Sequence, residues 1–171
     1  MRDRRLLLAG LLLGCLLRAI TLPLPGTGDV VIWKVWSFAG SNDLTAMYGI
    51  GGTPPERREL HWQGESMTVD YPPLSLAELA IAGRLYRAVR PMYQDGALLN
   101  VVVKLPGLIT ELSWLAWLWF AGRRVLGQQA ATWAMLASWL NPALLLDGPI
   151  LGYLDPQMAV PLLLAVIAAA R

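Results

Sequence analysis

Apolar residues fall in long runs along this chain, with polar, turn-rich stretches between them. The first run extends from Leu6 to Leu22, is broken only by Arg18, and follows the basic start Met1-Arg2-Asp3-Arg4-Arg5. A basic cluster ahead of an apolar stretch also opens a signal peptide, but Thr21-Leu22-Pro23-Leu24-Pro25 is a poor cleavage site. The pattern predicts an uncleaved transmembrane helix over 1–22 with its N-terminus in the cytoplasm. The apolar run Leu6–Leu22 itself is close to the lower limit of about 17 residues for a span. Further apolar segments are predicted at Leu74–Val89, Leu98–Phe120, Val125–Leu146 and Met158–Ala170.

Between the first and second runs, residues 23–73 are polar, with six acids against three basic residues and a net charge of −3. A loop this long is usually functional. Within it Gly28-Asp29 opens an apolar stretch from Val30 to Ala39, too short to cross a bilayer. Lys34 and Ser37 share one side at helical spacing, and Trp33 and Trp36 another, which predicts an interfacial helix on the outer leaflet. Arg84, Arg87, Arg90 and Lys104 bracket the next two segments, as in a cytoplasmic turn. Strict alternation then places Arg123-Arg124 outside, against the positive-inside tendency. Pro142 and Pro149 are placed to divide the following region into short or re-entrant pieces, tolerated only where protein shields the backbone.

Composition agrees with a membrane class. Of 171 residues, 56% are apolar and 15% charged, with eight tryptophans, and mean hydropathy is +0.47. Soluble domains carry about a quarter charged residues. Fourteen basic residues against twelve acidic ones leave +2, too balanced for a nucleic-acid partner. One cysteine and one histidine exclude an internal disulfide and a multi-Cys/His zinc site. The fold class expected is all-α: a polytopic transmembrane helix bundle whose long external first loop carries an interfacial amphipathic helix.

Ionisable residues near the membrane carry the candidate chemistry, because charge there is costly unless paired or used. Asp29 reads either as the N-cap of the Val30 helix or as a general base at the membrane surface. Asp70-Tyr71-Pro72-Pro73-Leu74 is either punctuation before a helix or a rigid corner that presents Asp70 and Tyr71. Arg18 either snorkels to lipid phosphates or faces inward to hold an anionic phosphate. Lys104 and Glu111 share a helix face, and pairing with other helices is the safer reading for them. Asp155 is a loop acid or a pocket acid. His61 and Trp62 are expected on a mobile surface loop. The tryptophans at 114, 117, 119, 133 and 139 are expected in interface belts or bundle packing.

Four pieces together resemble the N-terminal part of the GT-C superfamily, integral-membrane glycosyltransferases that use polyprenyl-phosphate sugars. They are the helix ending at Arg18 followed by Asp29 and an aromatic-rich helix; Asp70-Tyr71-Pro72-Pro73-Leu74, similar to the DYPPL of dolichyl-phosphate glucosyltransferases; Lys104-Leu105-Pro106 with Glu111 where Asp is usual; and Leu140-Asn141-Pro142 leading to Gly152-Tyr153-Leu154-Asp155. In the fourth, Tyr153 and Leu151 replace the usual Gln and Trp. The resemblance implies inverting transfer of a sugar from a polyprenyl-phosphate donor to an acceptor hydroxyl of a glycan, lipid or protein on the non-cytoplasmic face. Asp29 would be the catalytic base, with Asp70, Tyr71, Arg18 and Asp155 as substrate-binding candidates. No cofactor and no metal site are predicted, although Asp29 and Asp70 are compatible with a divalent ion. Residues 1–171 are expected to be the N-terminal part of one such domain, incomplete and inactive alone. The setting expected is multi-pass, in a bacterial cytoplasmic membrane. The rival expectation is a non-catalytic polytopic protein such as a lipid or polysaccharide transporter subunit.

Overall fold

The computed structural model describes residues 2–48, 59–154, 162–163 and 165–169. It is mostly helical, at 75%. In order come α1 (Arg2–Thr21), α2 (Gly28–Asn42), a 3-10 turn (Ala46–Tyr48), β1 (Leu60–Trp62), β2 (Glu65–Met67), α3 (Pro73–Val89), α4 (Ala97–Val125), α5 (Gln128–Trp139) and α6 (Pro142–Leu145). The chain then winds through a wider π-type turn, Leu146–Leu151. Residues 165–169 are helical, and much of the predicted segment Met158–Ala170 lies outside the described residues. Among the described residues two helical stretches are long and apolar enough to cross a membrane, Ala97–Val125 and the α5-to-π-turn run Gln128–Leu151.

The chain divides into two compact units, one of residues 1–24 with 107–171 and the other of residues 25–106. The boundary falls inside α4 at Pro106. Proline there has no N–H to give to the carbonyl one turn earlier, so a hydrogen bond of the helix is missing at that point.

In the first unit, α1 packs on α5. Its inner face is made of small residues: a Cβ added at Gly10 would meet Leu136, and one at Gly14 would run into the Trp139 indole. The opposite face carries Leu8, Leu12, Leu16 and Ile20, all exposed and spaced four apart. The bundle tryptophans divide between roles. Trp114 and Trp117 stack with centroids 5.1 Å apart, while Trp119 and Phe120 lie beneath the Arg123 guanidinium.

In the second unit, α2 is the centre. Val30, Trp33, Lys34, Val35, Trp36, Ser37 and Gly40 are all buried. The amphipathic pattern expected of α2 is not matched by its exposure: tryptophans and lysine alike are buried, and α2 contacts α3 and both strands of the hairpin. Gly40 and Gly83 let the helices touch, as a Cβ on Gly40 would meet Ala80 at 2.9 Å and one on Gly83 would run into the Ser37 carbonyl.

The helical class holds in its coarse form, with one short hairpin added among the described residues. β1 and β2 pair antiparallel with Leu60 opposite Met67 and Trp62 opposite Glu65. Gln63 and Gly64 between them have φ of 50° and 88°, the double positive φ of a tight two-residue hairpin turn. His61 is exposed, but Trp62 is buried, its ring 6.4 Å from Phe38 and 6.1 Å from Tyr93.

Candidate functional site

The start of α2 decides the first question about Asp29. The N-cap is Thr27, with extended dihedrals of −89° and 179°, and Asp29 lies in the first helical turn. Thr27, not Asp29, thus occupies the cap position, without a side-chain capping bond. A carboxylate in a first turn is favoured by the helix dipole without any direct bond. Asp29 is half-buried and forms no hydrogen bond or ion pair among the described residues, so its oxygens are open to a ligand.

One turn on, at i+4, stands Trp33, and at i+7 Trp36, on the side of α2 that carries Asp29. The Tyr71 ring rests on both, at 5.1 Å from Trp33 and 5.4 Å from Trp36, while the two tryptophans meet edge-on at 5.3 Å. The backbone leading to this tyrosine is tied down at two points. Trp36 Nε1–H donates to the Thr68 carbonyl at 3.2 Å, and the Tyr48 hydroxyl donates to the Tyr71 carbonyl at 3.2 Å. Asp70 is held between those two anchors with an exposed side chain. Pro72 then caps α3 and Pro73 opens it, where a missing N–H costs nothing. The punctuation reading of this segment holds, since its prolines set the start of the helix.

Beneath this surface the unit carries several buried polar contacts. Lys34 Nζ donates to Asp95 Oδ1 at 2.7 Å. The Tyr93 hydroxyl donates to Ser37 Oγ at 2.8 Å, and the Ser37 hydroxyl to the Lys34 carbonyl at 2.9 Å. Burial drives the Tyr93 phenol up to about 12 from its ordinary 10.0, since a phenolate would lose its hydration there. Tyr93 also holds φ at 49°, a left-handed conformation uncommon outside glycine. Its ring is surrounded by Phe38, Trp62 and Tyr86.

In the other unit Arg18 faces inward, and its nitrogens are all committed. Nε donates to Glu111 Oε2 at 3.0 Å, Nη2 to Glu111 Oε1, and Nη1 to the Gly14 carbonyl at 3.1 Å. The guanidinium carbon sits 3.4 Å from the centre of the Trp139 ring. Trp139 Nε1–H in turn donates to the Leu11 carbonyl at 3.1 Å. Three of its five N–H groups are thus engaged, which fixes helices. The pairing expected of Glu111 with another helix is found here. Gly10 and Gly14, which pack against Leu136 and Trp139, form a Gly-x-x-x-Gly spacing legible in α1, the small-residue pattern of close membrane-helix packing.

Asp155 lies outside the described residues. Just before it, Asn141 Oδ1 accepts the Ala143 N–H at 3.0 Å to cap α6, and Gly152 takes the left-handed φ of 84° that ends the π-type turn. Among the described residues no three His, Cys, Asp or Glu side chains converge as metal ligands would. No protein-family model matches the chain, and neither does any curated protein or solved structure.

Proposed function

We propose that the chain is the N-terminal part of a GT-C-type membrane glycosyltransferase, working at the non-cytoplasmic face of a bacterial cytoplasmic membrane. The observation that carries the reading is the open carboxylate of Asp29, one helical turn from the Trp33 on which Tyr71 of the Asp-Tyr-Pro-Pro-Leu corner rests. Asp29 takes the proton of an acceptor hydroxyl as that oxygen bonds to the anomeric carbon. The bond from this carbon to the lipid-phosphate oxygen breaks on the opposite side, so configuration inverts and polyprenyl phosphate leaves. A positioned carboxylate of this kind is worth about 10² to 10⁴ in rate. Asp70 and Tyr71 orient hydroxyls of sugar or acceptor. Arg18, paired with Glu111 and bonded to the Gly14 carbonyl, holds helices together.

Membranes carrying the full-length gene product, supplied with radiolabelled polyprenyl-phosphate hexoses, test the activity. Label should pass to an acceptor only where the gene is present. Absence of transfer from every such donor would favour the non-catalytic alternative.

A further inference from the structure

We propose that the end of the first unit where α4 passes into α5 is a binding site for an anionic phospholipid of the cytoplasmic leaflet. The inference rests on the membrane setting proposed above and not on glycosyl transfer. A shallow cleft of about 460 Å³ opens there, lined by Leu126, Gly127, Gln128, Gln129, Ala130 and Trp133. Its apolar side chains are open to the surroundings, Leu126 at 61% and Trp133 at 51% exposure, with Val125 beside them at 82%. The Trp133 indole N–H has no hydrogen-bond partner among the described residues.

Helix direction brings arginines to this cleft from two parts of the sequence. Gly10 of α1 faces Leu136 of α5, and Gly14 faces Trp139, so residue numbers rise together and the two helices run the same way. The Leu11 carbonyl, which accepts the Trp139 indole N–H, fits the same register. The first turn of α1, with Arg2, Arg4 and Arg5, therefore lies at the end of the unit where α5 begins and α4 finishes with Arg123 and Arg124. Arg2–Arg5 and Arg123-Arg124 hold five arginines against one acid, Asp3. The acid of α4, Glu111, lies about 18 Å back along the helix and is bound to Arg18. Asp147 follows the opposite end of α5.

Charge and depth together select the occupant. The cleft sits at the shared end of the two stretches apolar enough to span a bilayer, which is headgroup depth, and tryptophan beside apolar surface is characteristic of that zone. Arg123 is held over the rings of Trp119 and Phe120, at 4.7 and 5.0 Å. Arg5 and Arg124 are exposed and form no salt bridge among the described residues. An anionic phospholipid lays an acyl chain against Leu126, Ala130 and Trp133 and turns its phosphate oxygens to the guanidinium groups. The indole N–H of Trp133 is left for an ester oxygen. An acidic peptide would satisfy the arginines but not the apolar wall, which hydrocarbon matches.

The test uses the full-length gene product reconstituted in nanodiscs of phosphatidylcholine with a minority of phosphatidylglycerol. Val125→Cys, in an otherwise cysteine-free background, carries a fluorophore quenched by spin-labelled lipid of either kind. Spin-labelled phosphatidylglycerol should quench at a lower mole fraction than spin-labelled phosphatidylcholine, and saturably. Arg5→Gln with Arg124→Gln should lower that preference at least about fivefold, the worth of one basic residue at an acidic surface. Arg5→Lys with Arg124→Lys should keep it, which separates lost charge from lost fold. Trp133→Ala should weaken quenching by both lipids, because the apolar wall serves either acyl chain. Equal quenching by the two lipids, indifference to the Gln pair or to Trp133→Ala, or displacement by soluble glycerol phosphate or an acidic peptide would overturn the proposal. Sugar transfer is scored separately, so either reading can fail while the other stands.

Discussion

Arg18 and Glu111, 93 positions apart in sequence, form a two-pronged ion pair whose side chains are only 3% and 7% exposed. The pair is satisfied on every side, by the Gly14 carbonyl below the guanidinium and the Trp139 ring across its face. Removing one partner leaves a buried charge with no counterpart, which costs about 3–5 kcal/mol. Glu111→Gln and Arg18→Gln should each sharply lower the thermal unfolding midpoint in detergent. The combined Arg18→Met, Glu111→Leu variant should recover most of that loss, because an apolar pair of similar size removes both desolvation penalties. Equal damage from the double and single variants would show that the pair is not the connection.

Helix contact in the same unit depends on absent side chains. At Gly14 a new methyl would collide with the indole of Trp139, itself held by the Leu11 carbonyl, whereas at Gly10 it would press at 2.9 Å on a flexible Leu136 methyl. Gly14→Ala should therefore destabilise by about 1–3 kcal/mol, and Gly10→Ala by less. Thermal unfolding of the two variants side by side checks the order.

Tyr93 sets a limit at alkaline pH. Its phenol is raised to about 12 in the folded protein against an unfolded value near 10. The folded state thus holds a proton that the unfolded state has released, and the stability this provides is complete below pH 10 and lost as pH rises through 12. Tyrosinate absorbance should show a late step that Tyr93→Phe removes. That variant should also weaken the fold by about 0.5–1.5 kcal/mol through the lost bond to Ser37. A Tyr93 that titrates with the exposed phenols would contradict its burial.

Much of the helical architecture was legible because long apolar runs have few other uses. The positions of α1, α3 and α4 follow their runs to within a few residues. What escaped was the partner of each face. The 3.6-residue period put Lys34 and Trp33 on different sides of α2, but it could not say that α3 and a hairpin would bury both. That hairpin depends on Gln63-Gly64, whose turn chemistry is weak without its context, and Trp62 was assigned to a loop in consequence. Arg18 was recognised as inward-facing or snorkelling from its cost alone. Its partner, 93 positions away, could be found only in three dimensions. Asp29 was placed within two residues of the helix start, a margin small enough to confuse cap with first turn.

Asp43 serves as the comparison for the central claim. It sits in the same acidic loop, and its Oδ1 accepts the Thr45 N–H at 2.9 Å and the Thr45 hydroxyl at 2.7 Å, a local turn that Asn would preserve. Asp29→Asn keeps size and leaves the Thr27 cap untouched, but it removes a group able to take a proton. The deciding measurement is the turnover of Asp29→Asn and Asp43→Asn in the full-length gene product, at matched protein levels, with a polyprenyl-phosphate sugar as donor. The account expects Asp43→Asn to match the parent and Asp29→Asn to fall about 10² to 10⁴-fold with membrane insertion intact. Near-normal turnover in Asp29→Asn would contradict it.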